Sequence, residues 1–403
     1  MRRGAGILAV NGGSSSLKAS LFEVVEGSPV PRCDVRVDRI LDRPRWRVTA
    51  GGNNLPPPDP PDLEGLSPHE RHRRCMGAIL AWIDRTGNLP QPAVIGHRVV
   101  HGGDRFDRPE RIDDAVLSDL RRLVPLAPLH QGVNIALIEA CRDAAPAVPQ
   151  VACFDTMFHR HQPRIEREYA LPAELTAAGV HRYGFHGLSY EYVWQQLRSL
   201  DPVAAAGRVV IAHLGAGASL CAVREGRSIA TTMGFSTLDG LPMGTRCGSL
   251  DPGALIFLMR EQALGADQLE ELLYRRSGLL GVSGSSGDME QLRRSQDPRA
   301  RFAIDQFAYR IVRETGSLAA ALGGLDALVF TGGIGENDAA LRAGVVEGCA
   351  WLGARLDPAA NARGTGAVSA ADSAIAVRVI PTSEESMIAR HALSFAAGDG
   401  PVP

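Results

Sequence analysis

Three glycine-rich segments and two arginines set between glycines are the residues of this chain best suited to handle an anion. The first segment is Asn11-Gly12-Gly13-Ser14-Ser15-Ser16-Leu17-Lys18. Glycine lets backbone N–H groups approach an anion, three serine hydroxyls add donors, and lysine supplies a compact charge for phosphate. A polar hairpin turn is the plainer reading of a Gly-Ser cluster. Lys18 weighs against it, because it is the one lysine among 43 basic side chains. The spacing is not that of a Walker A loop. His213-Leu214-Gly215-Ala216-Gly217-Ala218-Ser219 follows an apolar run, and alone it is a weak signal, since strand glycines often mark bulges. Thr331-Gly332-Gly333-Ile334-Gly335-Glu336-Asn337 lies between a strand pattern and a helical one. Backbone amides and the helix dipole favour an anion or a nucleotide there. The dinucleotide fingerprint G-x-G-x-x-G is absent from it.

The arginines are Arg98, in Gly96-His97-Arg98-Val99-Val100-His101-Gly102-Gly103, and Arg246, in Gly244-Thr245-Arg246-Cys247-Gly248. Glycine neighbours leave room for a ligand, and the guanidinium fork recognises carboxylate or phosphoryl oxygens. In so arginine-rich a chain, a surface role is the default for either one. Phe154-Asp155-Thr156 and Tyr183-Gly184-Phe185-His186-Gly187 each embed a polar residue among aromatics and glycine. A histidine so placed is more often structural than catalytic. His97 and His101 lack the nearby carboxylates of a metal site.

Elements must hold these residues in place. Residues 6–11 read as a buried strand, Gly12 to Ser16 as a turn and Leu17 to Val24 as a returning strand. Arg208 to Val223 echoes that strand–glycine–strand layout, which suggests two related halves. Residues 51–62, a Gly-Gly-Asn-Asn turn followed by prolines, read as a surface loop. Helical patterns cover 66–86, 113–123, 131–143, 254–275, 299–323 and 384–395; apolar strands cover 92–100, 150–154, 327–330 and 374–380. Alternating strands and helices mark an α/β protein.

Bulk properties exclude several classes. The 403 residues allow roughly two or three domains. A net charge of −2 lacks the basic excess of a dedicated nucleic-acid binder. Seven scattered cysteines form no CxxC pair, which argues against a disulfide framework or zinc knuckle and for a reducing cytoplasm. The apolar run after Met1 is too short for a signal-peptide core, and none reaches the ~18 residues that span a bilayer. The expectation is a cytoplasmic protein acting on small molecules, with neither nucleic acid nor membrane as partner.

In this order, NGGSSSLK, HRVVHGG, LAPLH, FDTMFH, RYGFHG, HLGAGAS, MGTRCG, SGLLGVSG, FTGGIGEN and IPTSEE resemble the acetate kinase family, from about Ile7 to Arg390. The resemblance implies a two-domain α/β fold like that of actin, sugar kinases and heat-shock ATPases, with a nucleotide cleft between domains. Residues 1–153 would form the acyl and phosphate domain, rejoined by the C-terminal helix 384–403, and 154–383 the nucleotide-binding domain. The implied activity is reversible transfer of the ATP γ-phosphoryl group to acetate, giving acetyl phosphate and ADP, with Mg²⁺ or Mn²⁺, in a homodimer.

The same resemblance implies roles. Asn11 and Glu384 lie at the metal site. Ser14, Ser16 and Lys18 line the phosphates. Arg98 and Arg246 hold the carboxylate and the transferring group, Asp155 positions reactants, and His186 stabilises the transition state, with His130 and His213 nearby. Val100, Leu129 and Phe185 receive the acyl methyl. The nucleotide is surrounded by His213, Leu214, Gly215, Ala216 and Gly217, by Asp288, Met289 and Glu290, and by Gly333, Ile334, Gly335, Glu336 and Asn337. A carboxylate acceptor is already ionised, so catalysis rests on positioning and charge neutralisation. Asp155 then orients and abstracts no proton.

Several positions depart from the family pattern. Ala216 stands where Asn is usual, Glu290 where Arg is usual, and Thr237 replaces the acyl-pocket proline. Leu188 and Tyr190 replace Thr and His, Gln131-Gly132 replaces Asn-Pro, and Ser249 replaces Asp. These leave open a propionate or butyrate kinase, a donor such as pyrophosphate, and, from another class, a non-catalytic nucleotide-binding protein.

Overall fold

Five of the first six residues of β1 (Gly6–Gly12) are fully buried, as suits a strand covered on both faces. The structure, a computed structural model, describes residues 6–396, apart from the Leu129 side chain. β1 turns back at Gly13, whose N–H donates to Ser16 O at 2.9 Å, into β2 (Ser16–Val25), with Asn11 opposite Lys18. Antiparallel pairing continues through β3 (Ser28–Asp38), β4 (Arg45–Ala50) and β5 (Asn53–Leu55). On the other side of β1 lie β6 (Pro92–Val99), the short β7 (Glu110–Arg111) and β8 (Gln150–Phe154), in the order β5-β4-β3-β2-β1-β6-β8-β7.

The second sheet contains β9 (Arg208–Leu214), β10 (Ala218–Arg224), β11 (Arg227–Thr231), β12 (Ala327–Thr331), β13 (Gly366–Ala367) and β14 (Ala376–Val379), in the order β11-β10-β9-β12-β14-β13. Its centre repeats that of the first. β3-β2-β1 and β11-β10-β9 are antiparallel triplets, each extended by two parallel strands, β6-β8 and β12-β14. The hairpin echo in the sequence is thus the visible part of a duplicated topology.

The chain divides into two units, Met1–Met157 with Ser383–Pro403, and Phe158–Thr382. In the first, helices Pro68–Arg85 and Pro128–Ala144 bury Met76, Ile79 and Leu137 against Leu8 and Val10. Helix Glu384–Ala396 packs on β1 and β6. Gly96 permits that approach, since a Cβ there would sit 2.5 Å from Ile388 Cγ2. In the second unit, Tyr190, Val193 and Leu197 of helix Gly187–Leu200 pack against Val209, Ile211 and Val329.

Three local expectations change. Residues 53–55 of the expected loop pair with β4, because Gly51 and Gly52 take the positive φ of a hairpin turn. The pattern at 254–275 splits into helices Pro252–Glu261 and Ala266–Arg275, broken at Ala263 (φ 51). Gly332–Asn337 is itself helical, although rich in glycine. Among the described residues no helix is long and apolar enough to cross a membrane.

Candidate active site

Asp155 follows the end of β8, where its N–H donates to Val99 O of β6 at 3.0 Å. It therefore belongs to the first unit, beside Arg98. Its carboxylate is buried and takes three hydrogen bonds from Arg98: Nη2 at 2.6 Å and Nε at 2.9 and 3.1 Å. Arg98 Nη1 donates to Asn11 Oδ1 at 3.1 Å. The Asn11 amide donates in turn to Glu384 and Glu385, each at 2.9 Å. Lys18 Nζ lies 3.5 Å from Glu385, and Arg98 Nε lies 3.8 Å from Glu384. Burial pushes the Asp155 carboxyl up against the opposing pull of Arg98. Arg98 is pushed down by desolvation, yet Asp155 and Glu384 hold it charged, above its ordinary value.

The expected metal, phosphate and carboxylate residues Asn11, Lys18, Arg98, Asp155 and Glu384 thus form one network. Ser14 is exposed at the tip of the β1–β2 turn and Ser16 half-buried at its base. Among the described residues no three His, Cys, Asp or Glu side chains form a ready metal cage. Three carboxylates against two bases nevertheless leave an excess negative charge. That suits Mg²⁺, which keeps several waters and takes only one or two protein carboxylates. Glu385 was not singled out from the sequence. The doubled acid of IPTSEE was its signal, since adjacent acids in a first helical turn point to different neighbours.

In the second unit the glycine segments are stitched together by backbone. Gly215 N donates to Gly217 O at 3.0 Å, closing the β9–β10 turn. Gly332 (φ 78) leads from β12 into the next turn, and a Cβ there would lie 2.7 Å from Leu214 O. The Arg246 loop is held by Ser277 N to Thr245 O at 3.0 Å and Leu279 N to Met243 O at 2.9 Å. Gly278 (φ 60) makes this fit possible, since a Cβ would strike Met243 O.

His186 precedes helix Gly187–Leu200 with φ 59, a left-handed conformation unusual for a side-chain-bearing residue. Its ring stacks on His213, centroids 4.3 Å apart. A Cβ on Gly217 would lie 3.2 Å from His186 Nε2 and 3.8 Å from Arg246 Nη1, so His186, Arg246 and the Gly215–Gly217 turn converge. Arg246 Nη1 also donates to Thr237 O at 3.3 Å.

Other expected nucleotide residues do local structural work. Asp288 caps helix Met289–Arg294 through Gln291 N at 2.9 Å, Met289 is buried, and Glu290 is exposed and pairs with Arg294. Glu336 turns inward and accepts from Gly332 N at 2.9 Å and Thr382 N at 3.2 Å. Ile334 is half-buried and Gly335 buried, while Gly333 and Asn337 are exposed, linked by Asn337 Nδ2 to Gly333 O at 2.8 Å. Arg342 had no sequence signal among so many arginines. It is 1% exposed, donates to the carbonyls of Gly335 and Glu336 at 2.8 Å, and so fixes the end of this turn.

Of the expected acyl residues, Val100 is buried in the first unit, with its N–H on Asn134 Oδ1 at 3.0 Å, and Phe185 is buried in the second. The Leu129 side chain lies outside those described.

Duplicated sheets with an arginine–carboxylate network in one unit and interlocked glycine turns in the other define a two-unit α/β class. The chain belongs to the acetokinase family, whose model matches residues 6–390. It is 50% identical over 403 residues to the acetate kinase of Rhodopseudomonas palustris (strain ATCC BAA-98 / CGA009), covering 97% of this chain and 98% of that one. The acetate kinase of Nitrobacter hamburgensis is 49% identical, covering 96% of each. Among solved structures, a propionate kinase from Francisella tularensis matches with TM-score 0.88 at 34% identity, covering 96% of this chain and 98% of that one. The Porphyromonas gingivalis acetate kinase matches at 0.84 and 33%, covering 97% and 99%.

Proposed function

We propose that this chain catalyses reversible transfer of the ATP γ-phosphoryl group to acetate, giving acetyl phosphate and ADP. The observation that carries the reading is the Arg98–Asp155 pair joined through Asn11 to Glu384. It is a preset arginine beside an acidic cluster, the combination needed to bind a carboxylate near a metal-bound polyphosphate.

Acetate is ionised at neutral pH, so no base has to act. Asp155 holds the Arg98 fork in one orientation, and Arg98 receives the carboxylate. His186 and Arg246 donate to phosphoryl oxygens as charge spreads over them, and donors fixed in advance cost no reorganisation. The Gly215–Gly217 and Gly332–Asn337 turns take the nucleotide, Ser14, Ser16 and Lys18 the phosphates. Asn11 and Glu384 would hold Mg²⁺, which when bound offsets phosphate charge. Val100, Leu129 and Phe185 are the residues we assign to the acyl methyl, on the strength of the family resemblance. The first unit is then the acyl and phosphate side and the second the nucleotide side.

Homodimerisation is part of this reading. Helix Pro252–Glu261 buries none of its residues in the single chain, leaving Ile256, Phe257 and Met259 half exposed. An apolar face of that kind calls for a second copy. The free cysteines fit a reducing cytoplasm.

Hydroxylamine trapping tests the reaction. Acetate, ATP and Mg²⁺ together should yield acetyl hydroxamate, and omission of any one should abolish it. Product with pyrophosphate but not ATP would overturn the donor assignment, and no product with any acid or donor would overturn the enzyme reading.

A further inference from the structure

Helix Gly187–Leu200 carries Tyr190 one turn after His186, and the ring is completely buried. Its phenol lies 2.5 Å from Ser219 Oγ on β10, and among the described residues that hydroxyl is its hydrogen-bond partner. Ser219 Oγ lies 2.8 Å from His186 Nδ1. Neighbouring Cys221 turns its sulfur to Ser228 and the Ala222 carbonyl. The chain of contacts is therefore Tyr190, Ser219, His186.

The proton directions along it follow from the donor count. A phenol has one O–H, and leaving it unpaired in a dry site costs more than the bond gains. Burial pushes the phenol well above its ordinary value, so it keeps that proton. Tyr190 must then donate to Ser219 Oγ. The Ser219 proton is directed to its other partner, His186 Nδ1, which accepts it as an unprotonated nitrogen. A neutral imidazole whose Nδ1 accepts carries its proton on Nε2. Nε2 is the nitrogen on the Gly217 side, where Arg246 Nη1 also converges.

We propose that Tyr190 and Ser219 are positioning residues that fix the Nε2–H tautomer of His186, so that a neutral imidazole donates to the transferring phosphoryl group. This rests on the role of His186 given above. It also gives a purpose to Tyr190, where the family pattern has histidine. Histidine could relay in either direction, whereas a phenol with one acceptor relays in one.

The test is ¹⁵N NMR of histidine-labelled protein, with the His186 signals assigned by their loss in His186→Gln. Wild type should show an unprotonated Nδ1 and a protonated Nε2. Tyr190→Phe keeps the ring packed and removes only the donor. It should shift these nitrogens toward a mixture and lower kcat about tenfold, the scale of one hydrogen bond, with KM for acetate and ATP unchanged. Ser219→Ala should act in the same direction, and adding Tyr190→Phe to it should cost nothing more. If Tyr190→Phe melts early, Ser219→Ala alone decides. A protonated Nδ1 in wild type, or unchanged nitrogen shifts in both variants, overturns the proposal. Should wild type make no acyl phosphate, the functional reading falls, and the nitrogen shifts still decide the tautomer.

Discussion

Arg98 meets Asp155 side-on, Nε reaching both carboxylate oxygens and Nη2 closing on Oδ2 at 2.6 Å. The carboxylate is 1% exposed and the guanidinium side chain 16%. Such a pair is costly to assemble and costlier to break, because removing one partner strands the other's charge.

Arg98→Met should therefore lower kcat by ~10² or more and destabilise the fold by about 3–5 kcal/mol. Arg98→Met with Asp155→Leu should recover most of the stability and none of the activity. Urea unfolding and turnover of both variants check this. Wild-type turnover in Arg98→Met would refute the carboxylate role.

Glu384 and Glu385 share the Asn11 amide, but Glu385 is also paired with Lys18. Glu384→Gln should raise the Mg²⁺ concentration for half-maximal activity ~10-fold or more, and Glu385→Gln should raise it less. The reverse order in Mg²⁺ titrations would move the metal site to Glu385.

Gly332→Ala places a Cβ 2.7 Å from Leu214 O at φ 78. It should raise KM for ATP and cost roughly 1–3 kcal/mol of stability. Gly344, in helix Ala339–Gly348 with open space where a Cβ would sit, is the contrast. Gly344→Ala should stabilise by about 0.5–1 kcal/mol with KM unchanged. Equal effects on KM would mean that the Gly332 turn is not a nucleotide turn.

His97 and His159 are buried, and desolvation lowers each from 6.5 to about 4. The folded state therefore binds fewer protons than the unfolded one between those values. Their contribution is complete above pH 6.5 and disappears as pH falls toward 4, roughly 3 kcal/mol for each. Denaturant unfolding between pH 7 and 4.5 should show the decline, and His97→Gln should make it shallower. An equal slope in His97→Gln would contradict the assignment.

Much of the fold and of the site is legible in the sequence. NGGSSSLK, HLGAGAS and FTGGIGEN announced turns at strand ends because glycine and strand patterns are local. Strands β3 to β5 lie outside that reading: Cys33, Val35 and Val37, then Trp46 and Val48, alternate with polar residues, but the runs are short and mostly exposed, and the edge strand β5 has only three residues, too few to show a period. Pairings between residues far apart in sequence were also invisible. Nothing local ties Glu385 to Lys18, Ser219 to Tyr190, or Arg342 to the carbonyls of Gly335 and Glu336. They depend on how strands and helices stack, and stacking is a tertiary property.

Thr237, standing where the family has proline, makes acyl preference the sharpest question. Its carbonyl accepts from Arg246 at 3.3 Å, which ties this loop to that arginine. One methylene in an apolar pocket changes discrimination by only ~1–3 kcal/mol. The measurement that tests the central claim is kcat/KM for acetate, propionate and butyrate with ATP and Mg²⁺, on wild type and Thr237→Pro. Acetate should rank first in wild type, with propionate a slower substrate. Butyrate ahead of acetate would contradict the account and place the chain among longer-chain acyl kinases.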